Sequence, residues 1–184
     1  MQRIFMIFTA LITCSCQQTQ DRTVEMDAYG KKVRIALERV SDDVSQVKVD
    51  TFDDNQLVYS STWPLNYPVY RFEVGDVTAN GVPEIAVGVI KTTRYDTQLA
   101  KRLFLFQITD EYDVRPLWLG SRVSHPLEDF VLTGDGKVMT IEWEQNGKFL
   151  VAQYRYHGFG LTFGEYIKRE ISRKEAYKIM NYNQ

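Results

Sequence analysis

Between Phe72 and Ile90, two apolar runs of β type are interrupted by an acidic loop that turns on a glycine, and this arrangement confines the chain to folds built from paired strands. Residues 69–74 lead into the loop. Residues 84–90 leave it with apolar side chains at successive positions, the pattern of a central strand buried on both faces. Between them Asp76, Thr78, Asn80 and Glu84 occupy the first, third, fifth and ninth places of a D-x-x-x-N-G-x-x-E loop. Gly81 is free to take the positive φ that a sharp turn requires.

Residues of this kind at this spacing serve either of two ends. Asn80-Gly81 can turn a hairpin while Asp76 satisfies loop amides. Alternatively, alternate side chains and one carbonyl can turn inward as hard oxygen ligands for a cation. The loop resembles the FG-GAP or VCBS-type loop that opens a blade in integrin-like β-propellers, a resemblance covering the loop and its flanking strands. What it implies is a calcium ion held by Asp76, Thr78, Asn80, the carbonyl of Val82, and Glu84. Only Asp76 and Glu84 bring full charge, and an EF-hand is excluded because the twelfth place, which needs a bidentate Glu, is Val87.

At the N-terminus, residues 1–15 read as a bacterial secretory signal, with Arg3 as the positive region and residues 4–12 apolar except for Thr9. The run is too short to span a bilayer as a helix. A Cys directly after it, with small residues before, resembles the lipobox of bacterial lipoproteins, in which cleavage precedes the Cys that carries the lipid. Cleavage before Cys16 sets Ser15 at the junction and is preferred. Cleavage before Cys14 is the alternative, with the bulkier Thr13 there. No other Cys exists, so the folded domain holds neither a disulfide, nor a cysteine zinc site, nor a thiol nucleophile. Removing Arg3 leaves one basic residue fewer than the 22 of the whole chain against 24 acidic ones, which is no footprint for nucleic acid. Gln17 and Gln18 follow Cys16 where an inner-membrane retention signal would place Asp, which favours the outer membrane.

Residues 16–30 read as the lipidated Cys and a polar tether, and residues 31–184 as a single β-rich domain. Val33, Ile35 and Leu37 alternate with charged neighbours, and Val47, Val49 and Thr51 repeat the period. Trp63-Pro64-Leu65 to Pro68 reads as a connection, since proline breaks a ladder. Strands at 128–132, 137–144 and 148–157 form a meander, with Gly134-Asp135-Gly136 and Asn146-Gly147 as its turns. Met139, Ile141 and Trp143 share a face. A further strand at 161–167 precedes a short helix, with Ser172 as N-cap and Glu175 three residues later as a capping box. Lys168, Arg169, Arg173 and Lys174 read as a solvated helix face. The fold class is all-β with antiparallel sheets, either a small or incomplete β-propeller-like arrangement or a β-sandwich, with a short C-terminal helix. A propeller blade takes about 40 residues. Thr133-Gly134-Asp135-Gly136-Lys137 is a faint echo of the Asp76 loop.

The most enzyme-like stretch runs from Pro116 to Phe130. A hydrolase reading makes Ser121 or Ser124 the nucleophile with His125 as base, or draws on His125, Glu128 and Asp129. No G-x-S-x-G elbow supports it. Glu142 and Glu144, alternating with apolar residues, read as wet-face residues. With only two histidines, a His-rich metal centre is excluded. Trp118, Arg122 and His125 are the candidate binding residues, and the aromatics Tyr154, Tyr156, Phe159, Phe163 and Tyr166 read mainly as core. The expectation is an exported, lipid-anchored binding or structural module, held to the membrane by its lipid. A protein or glycan partner meets its loops near residues 76–84 and 120–129. The alternatives are an exported hydrolase and a subunit of an envelope complex.

Overall fold

A computed structural model describes residues 22–41, 44–120 and 122–182. The expected signal, Cys14, Cys16 and Ser121 lie outside the described residues. Three four-stranded antiparallel meanders follow one another along the chain. The first joins β1 (Arg22–Ala28), β2 (Lys31–Arg39), β3 (Ser45–Asp53) and β4 (Gln56–Leu65) in that order. The second joins β5 (Val69–Gly75), β6 (Glu84–Lys91), β7 (Ala100–Ile108) and β8 (Val114–Leu119). The third joins β9 (Leu127–Thr133), β10 (Lys137–Trp143), β11 (Phe149–His157) and β12 (Gly160–Ile171), and α1 (Arg173–Tyr182) closes the described chain.

The period-2 pattern explains how the sheets stack. In β2 and β3 the register sets Ile35 against Val49 and Leu37 against Val47, so one face of the first sheet is apolar. That face packs on Phe72, Val87, Phe104 and Phe106 of the second sheet. The other face of the second sheet, through Ala86, Leu103 and Leu105, meets Phe130, Val138, Leu150 and Tyr154 of the third. Val131, Met139, Ile141 and Val151 on the far side of the third sheet are covered by Ala176 and Met180 of α1. Each fully buried side chain of this size contributes about 2 kcal/mol of burial free energy. The result is a sandwich-like stack of three sheets and one helix.

The helix starts as its sequence dictates. Glu175 N–H donates to Ser172 Oγ at 3.2 Å, and Ala176 N–H to the Ser172 carbonyl at 3.0 Å. Asn146 and Gly147 take positive φ at the β10–β11 turn, and Asp54 and Asn55 do the same at the β3–β4 turn.

Three expectations need correction. Of residues 16–30, expected as a tether, Arg22–Ala28 is a strand paired along its whole length with β2. Its alternation is short and largely polar because it is an edge strand. Trp63-Pro64-Leu65 belongs to β4 rather than to a connection, and Pro64 is tolerated because β4 ends its sheet. Lys168 and Arg169 lie on β12, which runs on to Ile171, so only Arg173 and Lys174 of that basic group belong to the helix. Among the described residues no helix is long and apolar enough to cross a membrane.

Candidate functional site

The Asp76 loop is the β5–β6 connection, and its oxygens are taken up by its own backbone. Asp76 accepts from Asn80 N–H at 3.1 Å and Gly81 N–H at 2.8 Å, and Asn80 Oδ1 from Val82 N–H at 2.7 Å. Glu84, almost fully buried, accepts from Val77 N–H at 2.7 Å and from the Thr78 amide and hydroxyl at 3.0 and 2.9 Å. Burial foremost holds the Glu84 carboxyl above its ordinary pKa, against the lowering effect of those hydrogen bonds. The Thr133–Lys137 echo is the β9–β10 turn, the matching connection of the next sheet, and it lies against this loop. A Cβ added at Gly136 would stand 3.3 Å from the Asp76 carbonyl oxygen. Among the described residues no group of three or more His, Cys, Asp or Glu side chains is placed to hold a metal.

The connector between β8 and β9 is fixed from beneath by Glu142. This side chain is fully buried, which overturns its reading as a wet-face residue: Thr140 and Glu142 sit on the face turned toward the second sheet. Its carboxylate accepts from Ser124 Oγ at 2.8 Å, His125 N–H at 2.7 Å, Thr140 Oγ1 at 2.6 Å and Tyr154 Oη at 2.8 Å. Tyr154 Oη also accepts from Ser124 N–H at 3.0 Å. Burial foremost raises the Tyr154 hydroxyl well above its ordinary pKa. Four donors saturate this carboxylate, so it positions the connector and has no free lone pair directed at a substrate.

Glu128 and Asp129 belong to a second network, at the seam of the second and third sheets with α1. Glu128 accepts from Arg173 at 2.5 Å and from Trp143 Nε1 at 3.0 Å, and pairs with Lys101 at 3.2 Å. Burial pushes its carboxyl up, but Lys101, Arg173 and Trp143 outweigh burial and hold it below the ordinary value. Asp129 faces Arg71 at 3.5 Å and accepts from Phe130 N–H at 2.9 Å. Nearby, the Tyr70 hydroxyl and Arg71 Nε are buried without a hydrogen-bond partner. His125, in contrast, lies against Ser124, with Oγ and Nδ1 3.0 Å apart, and against the Tyr166 ring. The hydrolase set of His125, Glu128 and Asp129 is therefore divided between two networks.

The binding candidates do come together. Trp118, Arg122 and His125 line one cleft with Asp96, Gln98 and Lys101. Its cavity of about 60 Å³ has room for about two waters. Asp96 is held by Arg102 at 3.0 Å, which keeps its carboxyl below the ordinary pKa and anchors the β6–β7 connection. The Trp118 indole fits because Gly160 has no side chain: a Cβ there would stand 2.6 Å from Trp118 Nε1. Beside the cleft, several aromatics that the sequence pattern assigns to the core stand open. Tyr154 is buried, but Phe163 and Tyr166 are 42% and 36% exposed and Phe159 is wholly so. Phe163 and Tyr166 stand 4.7 Å apart, and Arg169 lies over Tyr166 at 4.7 Å. Their position on a sheet-ending strand is the signal that a period-2 reading lacks.

A stacked all-β domain with an aromatic and cationic surface is the class these features define. No family model and no curated protein matches the chain. Among solved structures, one described as the structure of a Xanthomonas type IV secretion system related protein is similar over 79% of this chain and 80% of its own. The identity is 9% and the TM-score 0.41.

Replacing Glu142 by Ala leaves Tyr154 and the 122–126 connector without their shared acceptor. The expected outcome is a loss of about 2 kcal/mol in urea unfolding and faster amide exchange confined to Ser124 and His125. The depressed pKa of Glu128 adds stability that is complete above the ordinary carboxylate value and is lost as pH falls through the folded one. Glu128→Gln is expected to cost about 2 kcal/mol at neutral pH and to flatten the acid limb of the stability profile in that window.

Proposed function

We propose that the chain is an exported, lipid-anchored binding module of the cell envelope, held through Cys16 and presenting the Trp118, Arg122, His125, Phe163 and Tyr166 surface to a protein or glycan partner. The observation that carries this reading is a contrast in placement. The carboxylates that hydrolysis would draw on, Glu128 and Asp129, are taken up by Lys101, Arg173, Trp143 and Arg71, while the Phe163 and Tyr166 rings and the Arg122 side chain stand exposed beside the connector. Tyr and Arg are the residue types that concentrate binding energy at interfaces, and aromatic faces also stack on sugar rings. This reading draws on no calcium at residues 76–84, because the Asp76, Asn80 and Glu84 oxygens already accept from the amides of their own loop. The Gln17-Gln18 pair after Cys16 supports the outer membrane, and membership of an envelope complex is the form this function takes if the partner is a protein.

Two measurements test the reading. Cys16→Ala is expected to abolish incorporation of labelled palmitate and release the chain from the membrane fraction, whereas Cys14→Ala leaves both intact. Lipidation that persists in Cys16→Ala moves the anchor to Cys14 or ends the proposal. The double variant Arg122→Glu with Tyr166→Ala is expected to keep its melting midpoint within a few degrees, since both side chains are exposed. It should lose at least tenfold in binding to purified peptidoglycan, or its cross-links to envelope proteins. Unchanged binding in both assays removes this surface from the function.

A further inference from the structure

Strands that end a sheet present unpaired N–H and C=O groups, and proteins blunt such edges with charges, prolines or bulges. Here β1 carries Arg22, Glu25 and Asp27, β5 Arg71 and Glu73, β8 Arg115 and Pro116, and β9 Glu128 and Asp129. β12 carries Glu165, Lys168, Arg169 and Glu170, and its pairing with β11 shifts register at three places. β4 is different. From Gln56 to Leu65 it has no charged residue, its proline comes only at Pro64, and its pairing with β3 is regular from Tyr59 onward. Leu57, Val58 and Tyr59 are 57%, 52% and 43% exposed, and β4 ends its sheet.

We infer that β4 pairs antiparallel with β4 of a second copy of this chain, about a two-fold axis at Ser61. In a symmetric antiparallel pair the facing residues sum to a constant, and alternation of bonded and non-bonded pairs requires that constant to be even. An axis at Ser61 sets Tyr59 opposite Trp63 and Ser60 opposite Thr62, on both sides of the axis. These are the aromatic–aromatic and hydroxyl–hydroxyl pairs that favour strand association. An axis at Ser60 or Thr62 would set an aromatic ring opposite serine instead. Charge is compatible as well. On the adjacent strand Lys48 and Asp50 pair with each other at 3.3 Å, and Ser60 donates to Asp50 at 2.7 Å, so no uncompensated charge faces the edge. Tyr59 keeps its hydroxyl bond to Asp113 at 2.7 Å, which holds the ring in place along the strand. Pairing joins two first sheets into one continuous sheet and covers an edge whose only protection lies at its ends, the irregularity beside Val58 and Pro64.

The test uses the chain from Gln17 onward, which retains every described element and has no cysteine. Sedimentation equilibrium is expected to show concentration-dependent association to twice the monomer mass. Thr62→Lys, at an exposed edge position, is expected to shift the chain to monomer with its circular dichroism and melting midpoint kept, while Thr23→Lys on β1 leaves the dimer intact. In a separate arm, Thr62→Cys is expected to give a covalent dimer with a short bis-maleimide, each thiol adding across one maleimide, and Thr23→Cys none. A chain that remains monomeric at every concentration overturns the inference. So does an oligomer that Thr62→Lys leaves unchanged and that Thr62→Cys fails to link.

Discussion

The middle sheet must be covered on both faces, and the architecture follows from that. In β6, Ile85, Val87 and Val89 point one way and Ala86 the other, and β7 repeats the arrangement with Phe104 and Phe106 against Leu103 and Leu105. Leaving either face wet would forfeit the burial of several large side chains, each worth about 2 kcal/mol. A sheet needs one layer on each side, so the chain supplies a meander before it and a meander after it. The third meander in turn has its own second apolar face, and α1 exists to cover it. The first sheet turns a polar surface outward, through Arg34, Lys48 and Asp50.

Of the carboxylates buried in this stack, Glu84, Glu128 and Glu142 each survive there by a different device. Glu84 is solvated by backbone amides of its own loop, Glu142 by hydroxyls and one amide, and Glu128 by cations and an indole. An unpaired charge in such surroundings would neutralise or unfold its neighbourhood, so each network fixes one conformation of the segment it holds. The consequence for the binding surface is indirect but definite. The connector that carries His125 has little secondary structure of its own, and its rigidity comes from Glu142 below it.

Much of the fold was legible because strand alternation and turn chemistry are local. Val33, Ile35 and Leu37 revealed a half-buried strand, Asn146-Gly147 a tight hairpin, and Ser172 with Glu175 a helix start. What stayed hidden depends on which strand faces which sheet. Glu142 alternates with Ile141 and Trp143 exactly as a solvent-facing residue would, and only the packing of the second sheet on that side makes it interior. The same holds for Phe163 and Tyr166, which carry the marks of core residues but lie on the last strand of a sheet, beyond the reach of the next layer. At the site, Trp118, Arg122 and His125 were adjacent enough in sequence to be grouped. The partners that fix them, Tyr154, Glu142 and Gly160, lie a meander away.

The strands of each sheet pair in chain order, β1 with β2 through to β4, β5 through to β8, and β9 through to β12. Within a sheet every pairing therefore spans only a turn or a short connection, and the long-range contacts are left to the packing of one sheet on the next. Each meander can close on its own before the layers meet, which keeps the slow, non-local step of folding to the stacking of finished sheets.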